Sequence, residues 1–115
     1  MKILVIVNVS PWSGSLAVTA LRLVEAMLGQ GFEIAAVYFR GEGVYQALNG
    51  RIVDNGTPDM RAAWLSVQQQ KGVPLLLCSS AAQRRLERAP TEGFREAGLA
   101  EILELMGGCD RLVSF

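Results

Sequence analysis

An α/β fold with three layers, helices on both faces of a mainly parallel sheet of about five strands, follows from three observations. Apolar runs too continuous for a half-exposed sheet recur along the chain, each is followed by apolar residues at helical spacing, and glycines or prolines punctuate the junctions. Strands alternating with helices, without an internal repeat or a low-complexity linker, favour parallel pairing through crossover helices over hairpins. At 115 residues, 50% of them hydrophobic, the chain reads as one domain over 1–115 with one core.

Residues 2–9 make the first strand, apolar enough to be buried on both faces. A loop at Pro11-Trp12-Ser13-Gly14 leads to Ser15, placed to cap a helix with Leu16, Ala20, Leu23, Val24 and Met27 on its inner stripe and its stop near Gly29 and Gly31. The second strand, 32–39, runs into Arg40-Gly41-Glu42-Gly43, a glycine turn opening a short helix to about Leu48. Residues 50–56 read as a polar loop. Thr57-Pro58-Asp59 supply a capping hydroxyl, a proline at the first helical position and an acid in the first turn. Met60, Ala63, Trp64 and Val67 then share a face until Gly72. The third strand, 73–78, passes directly into a helix with Ala82, Leu86 and Ala89 inside and Pro90 as its stop. A short fourth strand surrounds Phe94; Leu99, Ile102, Leu103 and Met106 make the last helix, ended by Gly107 and Gly108, and 111–115 is the final strand.

Composition removes several function classes. Charge is balanced at 11 basic and 11 acidic residues, so the strong basic field of a non-specific nucleic-acid binder is missing and any RNA in its biology is reached through a partner. Nine of the basic residues are arginine, whose planar fork suits protein assembly. The apolar run after Lys2 is too short for a signal peptide's core and no stretch approaches membrane-spanning length, which predicts a soluble cytoplasmic protein. With no histidine, a Cys/His or Ser/His/Asp triad is impossible and a zinc site would need carboxylates. In a reducing compartment Cys78 and Cys109 are expected to be free thiols.

Cys78 is the strongest candidate for chemistry. It closes the apolar run Val73-Pro74-Leu75-Leu76-Leu77 and opens a helix, and the carboxyl ends of strands are where open α/β sheets place their sites. A helix amino terminus favours an anion by roughly 0.3 to 2 kcal/mol, enough to bring a thiol of pKa about 8.5 toward roughly one third thiolate at neutral pH without a general base. A buried, inert cysteine is the competing reading on composition and spacing alone. Other candidates are weaker. Gly41 and Gly43 do not make a dinucleotide loop, because the third glycine falls on Gln46 and the loop follows the second strand. Residues 11–15 are read as shaping the mouth of the Cys78 site, with Trp12 as contact surface, ahead of a phosphate nest. Arg84, Arg85 and Arg88 complement a helix carboxyl end, Trp64 belongs to the core, and Cys109 is structural.

These residues coincide with a known pattern. The opening strand with Pro11 and Gly14, Val37-Tyr38-Phe39 followed by Gly43-Val44 and Ala47, Ala63-Trp64, Gly72-Val73, Cys78 with Ala81-Ala82 and Arg84-Arg85, and the ending Cys109-Asp110-Arg111-Leu112-Val113-Ser114-Phe115 resemble the DsrE/TusD family of sulfur-relay proteins along essentially the whole chain. The resemblance implies a DsrE-like fold and a sulfurtransferase subunit in which Cys78 accepts sulfane sulfur as a persulfide, without metal or organic cofactor. It further implies sister TusB- and TusC-like subunits in a hexamer, sulfur donor and acceptor carrier proteins, no direct tRNA contact, and 2-thiouridine at the tRNA wobble position as the destination. A homo-oligomer is expected when the chain is alone. A carrier for dissimilatory sulfur oxidation, and a non-catalytic assembly or small-ligand module, remain alternatives. Ser13 after Trp12, and Ser79-Ser80, depart from the family's more aromatic and apolar choices around the mouth.

Overall fold

The computed structural model describes residues 1–48, 59–87 and 92–115. Five parallel strands, β1 (Lys2–Val7), β2 (Glu33–Phe39), β3 (Leu75–Cys78), β4 (Phe94–Ala97) and β5 (Arg111–Ser114), lie in the order β4-β3-β2-β1-β5. Between them run α1 (Leu16–Gly29), a 3-10 helix at Gly41–Ala47, α2 (Met60–Lys71), α3 (Ser79–Arg85) and α4 (Leu99–Gly107). The predicted three-layer α/β/α sandwich is thus present, and the parallel sheet directs every strand's carboxyl end to one edge.

Strand alternation divides the core between the two faces. Ile3, Val5, Val7, Val37, Phe39, Leu75, Leu77 and Phe94 point toward α1, α2 and α3, and Trp64 of α2 packs edge-on to Phe39 with ring centroids 5.4 Å apart. Leu4, Ile6, Ala36, Tyr38, Leu76 and Ala97 point to the other face, where α4 contributes Ile102. The asymmetry follows from topology: successive crossovers from β1 to β4 stay on one side, and the chain then returns across the opposite side to place β5 beside β1.

Several boundaries and faces differ from the sequence reading. Ser15 occupies the cap position of α1 without a side-chain cap; its carbonyl instead accepts from the Thr19 N–H and hydroxyl, each at 2.9 Å. The buried stripe of α1 is Ala17, Ala20, Leu21, Val24 and Met27, while Leu16 and Leu23 are exposed. Asp59 is the cap of α2, accepting from the Ala62 N–H at 3.1 Å, rather than a first-turn acid. Thr57, Pro58 and the loop at 50–56 lie outside the described residues, as do Arg88, Ala89 and Pro90. The α3 helix already ends at Arg85, before that proline. Within α4 only Ile102 is buried, whereas Leu99 is 70% and Leu103 56% exposed.

Candidate active site

Cys78 ends β3 and immediately precedes α3, so its backbone belongs to the sheet while its side chain stands at the amino end of a helix. The sulfur is half-buried and packs against the cluster containing Tyr38 and Leu76, on the α4 face. Its Sγ lies 3.4 Å from the Ser80 hydroxyl. Burial pushes the thiol pKa up, but the Ser80 hydroxyl, the Ala81 N–H, the Tyr38 hydroxyl and the Ser80 N–H all favour the anion, and the net displacement is downward. Because α3 has only seven residues, these individual donors, not a long helix dipole, hold the charge. Tyr38 moves oppositely, to about 12: burial, its hydrogen bond to Cys78 and the neighbouring sulfur charge raise it against the opposing effect of Arg40. It therefore stays a neutral donor at physiological pH.

The loop that follows β1, the 3-10 helix that follows β2 and the end of α3 meet through one aromatic stack. Trp12 is 53% exposed and packs at 5.5 Å between centroids on Tyr45, over whose ring the Arg85 guanidinium lies at 5.7 Å. Trp12 thus packs on the 3-10 helix that follows β2, and Arg85, read from sequence only as a dipole-complementing residue, also caps this stack. Beneath it sits Gln46, a residue that sequence reasoning passed over. Its side chain donates to the Val9 carbonyl at 3.0 Å and accepts from the Trp64 indole at 3.2 Å, fastening the 3-10 helix to both the segment after β1 and α2. Gly41, at φ +55°, makes the turn, and Gly43 is needed for a different reason: a Cβ there would strike the Val7 carbonyl.

Cys109 sits at the other edge of the sheet, where Asp110 donates its N–H to the Lys2 carbonyl at the start of β1. Parallel strands separate the two cysteines by the length of the sheet, and both are free. We expect Cys109→Ser to cost about 1 kcal/mol or less and to leave iodoacetamide labelling of Cys78 unchanged; loss of that labelling in a folded variant, scored by mass spectrometry, contradicts this. A cleft of about 390 Å³ lies at that same distant edge, lined in part by Lys2, Glu33 and Lys71, and does not include Cys78. Among the described residues no group of three or more His, Cys, Asp or Glu side chains is arranged to hold a metal ion, and no helix is long and apolar enough to cross a membrane.

The full chain, residues 1–115, matches the DsrE/DsrF-like family model. Proteins named sulfurtransferase TusD from Salmonella newport (strain SL254) and Salmonella paratyphi B are each 32% identical over 128 aligned positions, with both chains covered completely. The crystal structure of the ychN protein from E. coli superposes with a TM-score of 0.86 at 20% identity, covering 100% of this chain and 99% of that one, and so shares the fold. End-to-end agreement at the level of sequence, topology and length makes this chain a member of the DsrE/DsrF-like family.

Proposed function

We propose that this protein is a sulfurtransferase of a sulfur relay, carrying sulfane sulfur as a persulfide on Cys78. The observation that carries the reading is a half-buried strand-end sulfur whose anion is held by side-chain and backbone donors, in a chain aligned throughout with proteins named sulfurtransferase TusD. The Cys78 thiolate attacks the terminal sulfur of a donor persulfide; a new S–S bond forms, the old one breaks, and the donor departs as a thiolate. An acceptor thiolate repeats the exchange in the opposite sense. No net oxidation occurs, so neither a metal nor an organic cofactor is required.

In this reading donor and acceptor are carrier proteins, the destination is 2-thiouridine at the tRNA wobble position, and tRNA itself is not bound by this balanced-charge chain. A reducing cytoplasm suits two free thiols. Incubation with glutathione persulfide followed by mass spectrometry tests the reaction: one added sulfur on the Cys78 peptide is expected, and none on the intact, folded protein refutes it. Sister TusB- and TusC-like subunits complete a hexamer. Exposed Leu99, Leu103 and Leu112 supply apolar surface for association. Light scattering is expected to find a homo-oligomer alone and a mixed hexamer on co-expression, and monomers in both preparations contradict the assembly.

A further inference from the structure

We infer that Tyr38 is a positioning residue for Cys78 and that its hydroxyl favours the outgoing half of the transfer, when the Cys78 sulfur is the leaving group. This rests on the persulfide reading above. Its geometric basis is a β-bulge. In β1 the side chains alternate regularly, Ile3, Val5 and Val7 toward α1 to α3 and Leu4 and Ile6 toward α4. In β2 the register with β1 slips between Ile3↔Ile34 and Leu4↔Ala36, leaving Ala35 over. Ile34 consequently faces α1 to α3 while Ala36 and Tyr38 face α4. Unbroken alternation from Ile34 would send Tyr38 to the opposite side of the sheet. The extra residue re-aims it, a recurrent use of bulges beside functional sites.

On the neighbouring strand Tyr38 pairs with Leu76, so Cys78 lies two residues farther along on the same face. A ring leaning along the strand shortens that diagonal interval, which lies within the range of an aromatic side chain, and its hydroxyl favours the anion of the sulfur. The Tyr38 ring is only 7% exposed, which fixes it in place. Arg40, just after β2, is the charged group acting on Tyr38. On β4, Glu96 is engaged by Gln83, and on α4, Glu101 is engaged by Arg95.

A donor to Sγ acts unequally on the two directions. During loading it enlarges the thiolate fraction but weakens the nucleophile, and the effects partly cancel. During release the acceptor attacks the terminal sulfur, the S–S bond breaks, and its electron pair goes to Sγ, the atom whose anion the Tyr38 hydroxyl favours; a better-stabilised thiolate leaves faster. Tyr38→Phe, which keeps the ring and removes only the hydroxyl, isolates this contribution.

The test uses the full chain loaded with glutathione persulfide and discharged with cyanide. Cyanide takes the terminal sulfur as thiocyanate, leaving the Cys78 thiolate and releasing the persulfide proton, and thiocyanate is read as its ferric complex. Tyr38→Phe is expected to raise the pH midpoint of iodoacetamide alkylation and to slow cyanolysis about three- to tenfold, corresponding to roughly a pKa unit or less of lost stabilisation, with loading changed less. Replacement by 2,3-difluorotyrosine, a stronger donor of nearly the same shape, should move the midpoint the other way. An unmoved midpoint, or equal slowing of loading and release, overturns the role of Tyr38 while a loaded Cys78 leaves the persulfide reading standing. A folded wild type that takes up no sulfur brings down both.

Discussion

Cys78→Ser is expected to abolish sulfur loading while leaving the fold in place. Oxygen replaces sulfur with little change of shape, but a serine hydroxyl is un-ionised at neutral pH and its product would not be a persulfide. The position also tolerates serine. Residue 78 is the cap of α3, where a hydroxyl is among the favoured groups, so stability should change by about 1 kcal/mol or less. Wild type incubated with glutathione persulfide should gain one sulfur on the Cys78 peptide, and the serine variant none, with thermal melts that superpose within a few degrees. Equal uptake by the variant moves the site elsewhere, and Cys109 is then the remaining thiol. Because Cys109 lies at the opposite edge of a parallel sheet, that result would also require a different entrance and different partners.

The pH dependence of the same sulfur gives a milder test. Its pKa is lowered, so alkylation should rise with pH through a midpoint below that of an ordinary cysteine and then level off. The sign is that of an acid whose charged form is favoured: donation by Ser80, Ala81 and Tyr38 stabilises the thiolate and not the thiol.

Cys78 was readable from the chain because its defining features are local, an apolar run ending where a helix begins. The fold class was readable for a similar reason, since strand and helix periods alternate without interruption. Tyr38 was not. Its place beside the sulfur depends on pairing between β2 and β3 and on a bulge at Ala35, and simple alternation along residues 34–38 assigns it to the other face. Gln46 escaped for a related reason: its two partners, Val9 and Trp64, lie 37 and 18 residues away. The inner face of α1 was misjudged because Leu16, Leu21, Leu23, Val24 and Met27 exceed what one side of a helix can bury, so hydrophobicity alone leaves its rotation undetermined. In α4 the expected stripe is exposed at Leu99 and Leu103 because a nine-residue helix lies over that face with Ile102 as its one buried anchor.

Gly43→Ala should be the most destabilising of the conservative substitutions considered. The 3-10 helix crosses the end of β1 so closely that an added Cβ meets the Val7 carbonyl, main chain rather than a movable side-chain tip. That carbonyl already accepts the Arg40 N–H at 3.0 Å, so displacing it breaks the junction between β1 and β2. Alternatively the 3-10 helix lifts, taking Val44 and Ala47 out of the core and Gln46 away from Val9 and Trp64. Either response should cost about 3 kcal/mol, the upper end of ordinary overpacking, or more. For a domain of this size that is a fall of roughly 10 to 20 °C in melting temperature. Gly41→Ala is the control. Nothing lies within 4 Å of a Cβ at that position, so only the strain of its φ of +55° counts, about 1 to 2 kcal/mol. Parallel melts of the two variants separate close approach from backbone conformation, and equal losses would show that Gly43 holds no special contact. Tyr45 rides on the same 3-10 helix and joins Trp12 to Arg85, so a folded remnant of Gly43→Ala should also have lost the ordered Trp12–Tyr45–Arg85 stack. The tryptophan emission of folded Gly43→Ala should therefore lie to the red of the wild type's before any heating, whereas folded Gly41→Ala should keep the wild-type emission.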